Sequence, residues 1–122
     1  MCYRIKAYST TSGRVPIRAC IDEIKSTSKS LAAKLDTEID LLQAFGPRRI
    51  TDSHNYKSIK SVDGLYELRI GNYRLFFSFC QEHLIVFYHG YKKTSSSNKK
   101  QDHEISVAKN RMREYQNLGK CN

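Results

Sequence analysis

Tryptophan is absent from the 122 residues, proline occurs twice, and acidic residues are scarce, 12 Asp and Glu against 21 Lys and Arg. Each shortage excludes something. No C-x-x-C pair joins any of the four cysteines Cys2, Cys20, Cys80 and Cys121, and no cluster of His, Cys, Asp and Glu has metal-ligand spacing, so a zinc or magnesium site is not expected. No glycine-rich G-x-x-x-x-G-K loop is present, which argues against a nucleotide-hydrolysing phosphate loop. No apolar run approaches the roughly 20 residues needed to cross a bilayer, and none at the start resembles a secretory signal. The expected compartment is the cytoplasm, with the cysteines as unpaired residues, Cys20 and Cys80 being small buried hydrophobes. What the scarcity of acid leaves is a formal net charge of +9, which favours polyanionic partners, nucleic acid first.

Residues 65–91, LYELRIGNYRLFFSFCQEHLIVFYHGY, alternate β-branched, aromatic and apolar residues and are broken by two turn signals, Gly71-Asn72 and Gln81-Glu82. They predict three antiparallel strands. With two residues in each turn, Arg69 lies opposite Arg74 and Arg74 opposite His89. One face then carries Tyr66, Leu68, Ile70, Tyr73, Leu75, Phe77, Phe79, Leu84, Val86 and Tyr88 and is the core. The other carries Phe76, Ile85 and Phe87 at one end and the row Arg69, Arg74, His89 at the other, with Tyr91 just beyond. Like charges opposed on a sheet destabilise it, on the order of 0.2 to 1 kcal/mol per pair, so the row calls for an anion. Glu67 offers one from within the chain. A single carboxylate set against two guanidinium groups and an imidazole still leaves positive charge for a phosphate.

At this length one domain is expected, residues 1–122. Residues 3–8 alternate enough for a strand. Pro16 opens a first helix with Ile17, Cys20, Ile21 and Ile24 at helical spacing, and after a break at residues 26–30 a second carries Leu31, Leu35, Ile39, Leu42 and Phe45 as far as Gly46-Pro47. Residues 16–46 thus form a helical hairpin whose stripes cover the apolar sheet face. Residues 48–63 are polar and irregular, with Arg48, Arg49, His54, Lys57 and Lys60. Such runs are commonly solvated loops, although Lys57 and Lys60 lead directly into the strands and fit a short edge strand beside Arg69. Sheet residues run to 57–91, a basic Ser-rich stretch from Lys92 to Lys100 follows, a last helix spans 101–116 with Ile105, Ala108, Met112 and Tyr115 on one stripe, and 117–122 form a tail. The fold class is α+β: an N-terminal strand plus a three- to four-stranded antiparallel meander, a helical hairpin on one face, and a C-terminal helix.

A basic and aromatic constellation without metal ligands suits RNA cleavage, because RNA carries its own nucleophile, the ribose 2′-hydroxyl. The protein must orient that hydroxyl, stabilise charge on the phosphate, and protonate the leaving oxygen. Arg suits the second task. His, Tyr or a lysine of lowered pKa suits the others.

The ordered set Leu65-Tyr66-Glu67-Leu68-Arg69, Tyr73-Arg74-Leu75-Phe76-Phe77, His89-Gly90-Tyr91-Lys92-Lys93-Thr94, and Glu104-Ile105 with Ala108 and Arg111 resembles phage-derived HigB-type toxins of the RelE/ParE superfamily. The resemblance covers nearly the whole chain. It implies a type II toxin paired with a helix-turn-helix antitoxin, touching operator DNA only through that complex. For the ribonuclease branch it implies cleavage of mRNA on the ribosome without a cofactor. Lys57 and Lys60 resemble the basic residues that engage mRNA, Arg74 the phosphate-stabilising arginine, and Lys93 the basic residue after the last strand. With Arg69, His89 and Tyr91 these give the catalytic candidates Arg69, Arg74, His89, Tyr91 and Lys93, and with the basic flanks the RNA-binding candidates Arg48, Arg49, Lys57, Lys60 and Lys92. Two other readings stand beside this one: a ParE-like ligand that inhibits gyrase, and a non-catalytic nucleic-acid-binding module.

Overall fold

A computed structural model describes residues 2–94 and 98–120. Along the chain come β1 (Arg4–Ala7), α1 (Pro16–Thr27), α2 (Lys29–Phe45), α3 (Pro47–Thr51), β2 (Tyr56–Ser58), β3 (Tyr66–Ile70), β4 (Tyr73–Cys80), β5 (Leu84–Lys92) and α4 (Asn98–Asn117). The strands form one sheet in the order β1-β5-β4-β3-β2, antiparallel throughout except that β1 runs parallel to β5. The α+β architecture follows from two apolar faces, each needing a cover.

The helical hairpin covers the first face. Pro16 presets the first turn of α1, and Ile17, Cys20 and Ile24 recur on its buried side. The break between the helices is shorter than residues 26–30. Ser28 alone ends α1, its N–H donating to Ile24 O, and caps α2, its hydroxyl accepting from the Leu31 N–H at 3.2 Å. At the far end of α2, Gly46 has φ +59°, and a Cβ there would lie 2.3 Å from the Tyr3 ring, so only glycine lets the N-terminal segment close over the helix end. Leu35, Leu42, Leu68, Ile70, Leu75, Phe77, Ile85 and Phe87 form the core between hairpin and sheet. α1 and β5 also meet closely at Gly90, where a Cβ would lie 2.8 Å from both Cys20 Sγ and Ile17 Cδ1.

The second face is covered by α4. Ala108, Met112 and Tyr115 pack on Tyr8, Leu65, Phe76, Val86 and Tyr88. This reverses the expected sides of part of β5: Ile85 and Phe87 point to the hairpin, Val86 and Tyr88 to α4. The β4–β5 turn holds three residues, 81–83, with Glu82 and His83 at φ 62° and 60°, rather than two. One extra residue flips a strand, and Cys80 pairs with Leu84. A bulge between Phe76 and Phe77 then adds another residue opposite β4 and restores the original facing for the end of β5, so that His89 pairs with Phe76 and Tyr91 with Arg74. The expected opposition of Arg74 and His89 is therefore corrected to Arg74 and Tyr91.

Residues 48–63 are more regular than their polarity suggests, since they contain α3 and the edge strand β2. The cysteine expectation is also corrected. Cys2 and Cys20 are free, but Cys80 is disulfide-bonded. The Ser-rich residues 95–97 and the last two residues of the predicted tail lie outside the described residues. Among the described residues no helix is long and apolar enough to cross a membrane.

Candidate active site

Two cross-strand rows build the site at the end of the sheet nearest the Gly71 turn. The outer row is Arg69, Arg74, Tyr91, one residue from each of β3, β4 and β5. The inner row is Lys57, Glu67, Phe76, His89, which adds the edge strand β2. Direct partners share a face, so all seven side chains emerge on the side of α4.

The two arginines use different acceptors. Arg69 Nε donates to Glu67 Oε2 at 3.0 Å, with the arginine side chain 40% exposed and the glutamate 1%. Arg74 Nη1 donates to two neutral carbonyls of the turn, Gly71 O at 2.8 Å and Tyr73 O at 3.1 Å. One guanidinium leans back along β3 and the other toward the hairpin turn, so the pair does not converge as a closed pincer. Glu67 balances Arg69. Among the described residues Arg74 meets no carboxylate, and most of its five N–H donors remain unspent. The positive charge left over thus belongs to Arg74, half-buried in the row.

Tyr91 closes that row. Its ring lies nearly parallel to Phe76, 6.0 Å away at 11°, and its hydroxyl is buried without a hydrogen-bond partner, as is Glu67 Oε1. Burial raises the Tyr91 pKa, the Glu67 carboxylate raises it further, and Arg74 opposes both. The phenol is therefore protonated at neutral pH and is a proton donor. An unpartnered buried hydroxyl beside an underused guanidinium suits an oxygen ligand that reaches both.

His89 is occupied elsewhere. Its Nε2 bonds Glu104 Oε2, and its Nδ1 faces Arg111 Nη1 at 3.0 Å, with Arg111 also donating to Tyr88 O at 3.2 Å. Because a guanidinium only donates, Nδ1 must accept, which makes the ring neutral with its proton on Nε2. Burial lowers the His89 pKa more than Glu104 raises it, in agreement with that tautomer. The histidine thus pins α4 to the sheet and leaves the arginine row. Glu104 and Arg111 sit seven residues apart on the inward side of α4 with Ala108 between them, a two-turn spacing that was readable in the sequence but was not read as a histidine clamp.

The remaining candidates divide by location. Lys57 is exposed opposite Glu67, and Lys60 is exposed just past β2. Lys93 is half-buried, with its N–H donating to Asn72 O at 2.7 Å, which holds it beside the Gly71 turn. Lys92 falls on the other side of the sheet, its ammonium 5.9 Å from the Tyr73 ring centroid. Arg48 makes an exposed pair with Asp52 at 3.7 Å. Arg49 is spent on structure: Nε and Nη2 grip Glu38 at 3.1 and 2.8 Å, while Tyr56 OH and Asn55 Nδ2 complete the carboxylate's shell at 3.0 and 3.2 Å. Burial works against the Glu38 charge, but the Arg49, Tyr56 and Asn55 donors outweigh it and lower its pKa. Among the described residues no three His, Cys, Asp or Glu side chains gather as a metal site.

This sheet order with a hairpin on one side and a terminal helix on the other is the fold of RelE. The structure superimposes on a chain of the archaeal RelE-RelB complex from Pyrococcus horikoshii OT3 with a TM-score of 0.54 and 18% identity, covering 79% of this chain and 100% of that one. The sequence matches the family model described as phage-derived protein Gp49-like over residues 22–113. The protein belongs to that Gp49-like family and has the RelE fold. No curated protein matches the sequence.

Proposed function

We propose that the protein is the toxin of a type II toxin-antitoxin pair, of HigB type, acting in the cytoplasm as a ribosome-dependent endoribonuclease that needs no metal or cofactor. The observation that carries this reading is the row Arg69, Arg74, Tyr91, in which, among the described residues, an arginine without a carboxylate partner adjoins a buried phenol without a partner. Membership of a RelE-like family and a fold shared with a protein solved as RelE-RelB support the toxin role and an antitoxin partner.

In this reading the 2′-hydroxyl of the RNA attacks the adjacent phosphate. Arg74, with Arg69 beside it, takes up the charge that grows on the phosphoryl oxygens. Tyr91 hands its proton to the departing 5′-oxygen, while the proton of the attacking 2′-hydroxyl passes to solvent, which reprotonates the phenol. Lys57, Lys60 and Lys93 border the row and hold flanking phosphates, whereas Arg49 and His89 are framework and have no part in the chemistry.

Regulated expression of wild type and Arg74→Ala, followed by growth curves and transcript 5′-end mapping, tests this. Wild type should stop growth and create new mRNA ends, and Arg74→Ala should do neither. Growth arrest with DNA-damage signalling and intact transcripts would point instead to a gyrase-inhibiting ligand. Stoichiometric RNA binding without turnover would point to a binding module.

A further inference from the structure

β1 covers only part of the strand beside it. β5 runs from Leu84 to Lys92, but β1 pairs with it only from Leu84 to Phe87, and the Tyr8 N–H donating to Phe87 O is the last backbone bond across that edge. Past Phe87, among the described residues, no strand lies against β5. The groups left open follow from the ladder on its other side. Lys93 N–H donates to Asn72 O, so the next pair, Lys92 with Tyr73, is a non-hydrogen-bonded one, and alternation makes Gly90 with Leu75 another. The N–H and C=O groups of Gly90 and Lys92 therefore point away from β4 and out of the sheet, and among the described residues nothing bonds them. Two clefts run along this edge, of about 420 and 260 Å³. Gly90, Lys92, Glu23 and Lys100 line the first, Arg14, His89 and Arg111 the second, and both share Pro16 and Ala19 of α1. Because α1 stands on one face of the sheet and Arg111 on the other, an opening that touches both lies beyond the sheet's edge.

The border of this edge is cationic. Arg14 and Arg111 stand at one end and Lys92 and Lys100 at the other, against Glu23 alone, since Glu104 is held by His89. We propose that the open edge of β5 is a docking site for an extended acidic segment of a partner protein, which adds to the five-stranded sheet as a sixth strand beside Gly90 and Lys92. Main-chain bonds to those two residues hold the segment, and its alternating side chains set the choice of partner. Acids on one of its faces meet Lys92, and acids on the other meet Arg111, whose Nη1 is already committed to Tyr88 O but whose remaining donors are open. A second copy of this chain is the occupant that the charge rejects, because it would bring the same lysines and a net charge of +9 against their equals. Neither Arg69 nor Arg74 takes part, so docking at the edge goes beyond the ribonuclease reading and stands or falls apart from it.

The probes are two capped peptides, (Glu-Val)4 and its charge-reversed counterpart (Lys-Val)4, added to the full chain and followed by amide hydrogen exchange in NMR. Saturating (Glu-Val)4 should slow exchange at Gly90 and Lys92 by about tenfold or more, as bonded edge amides require, and (Lys-Val)4 should leave both unchanged. Two variants separate backbone pairing from charge. Lys92→Gln and Lys92→Pro lose the same charge, but only proline also loses the outward N–H, and no ladder bond to β4 goes with it, so the sheet tolerates it as edge strands do. Lys92→Pro should bind (Glu-Val)4 roughly tenfold more weakly than Lys92→Gln, the weight of one main-chain bond. Arg14→Glu should weaken the acidic peptide while leaving the melting temperature near that of wild type. Unchanged exchange at Gly90 and Lys92 while (Glu-Val)4 binds, equal protection by (Lys-Val)4, or equal affinity in the Gln and Pro variants overturns the docking site. So does protection of these amides that rises with protein concentration alone, which would make a second copy the occupant. If Lys92→Pro fails to fold, the exchange rates of wild type with the two peptides decide.

Discussion

Replacing Tyr91 with phenylalanine separates chemistry from stability. The hydroxyl is buried and makes no hydrogen bond, so the folded protein bears a desolvation cost on the order of 1 to 3 kcal/mol that the substitution relieves in part. The ring stays, and with it the near-parallel contact with Phe76 at 6.0 Å. Tyr91→Phe should therefore be as stable as wild type or more so, by about 1 kcal/mol, which for a domain of this size is roughly 3 to 5 °C in Tm. Cleavage should nevertheless fall by about 10²-fold or more, the usual loss when a positioned acid is removed. Calorimetry and single-turnover cleavage of ribosome-bound mRNA on the same preparations give both numbers. A variant that melts earlier and cleaves normally would refute the reasoning twice, by showing that the hydroxyl holds structure and carries no proton.

Other perturbations bear on the framework. Arg49→Ala strips the buried Glu38 carboxylate of its bidentate partner and should cost about 3 kcal/mol in urea denaturation while leaving cleavage per folded molecule unchanged; a selective loss of RNA affinity would instead make Arg49 a contact. Burial holds the His89 pKa below its ordinary 6.5, so in the window between the two values the unfolded chain binds a proton that the folded chain refuses. Stability from the neutral ring is complete above pH 6.5 and drains away as the pH falls through that window. The Tm should drop between about pH 7.5 and 5.5 in wild type and drop less in His89→Asn; parallel curves would contradict the clamp. Gly90→Ala pushes a methyl group to 2.8 Å from Cys20 Sγ and Ile17 Cδ1 and should destabilise by about 1 to 3 kcal/mol, read as a lower midpoint in the same urea titration.

The sheet was legible because period-2 alternation through 65–80 and the Gly71-Asn72 signal point to one register, and Arg69 opposite Arg74 follows from it. The second hairpin was not. Gln81-Glu82 reads as a two-residue turn, yet both Glu82 and His83 adopt left-handed backbone, a choice that no glycine announces. The bulge beside Phe77 is equally silent in the sequence, because Tyr88 and His89 are both acceptable strand residues. The two departures offset each other at the end of β5, so Tyr91 still reaches the functional face, although opposite Arg74 rather than beyond it. His89 was misplaced for a different reason: the strand pattern identifies its face but not the helix residues that come down on that face. Arg49 shows the same blind spot, since a basic pair in a polar stretch looks solvated until Glu38, eleven residues earlier, is seen beneath it.

The central claim is that the protein cleaves RNA with the substrate's own 2′-hydroxyl and with no metal. Its most direct measurement is the chemistry of the ends made on mRNA-programmed ribosomes by purified protein that has been freed of metal with EDTA and desalted beforehand. The account predicts 2′,3′-cyclic phosphate and 5′-hydroxyl ends from wild type and none from Arg74→Ala. Ends bearing a 5′-phosphate and a 3′-hydroxyl would contradict it.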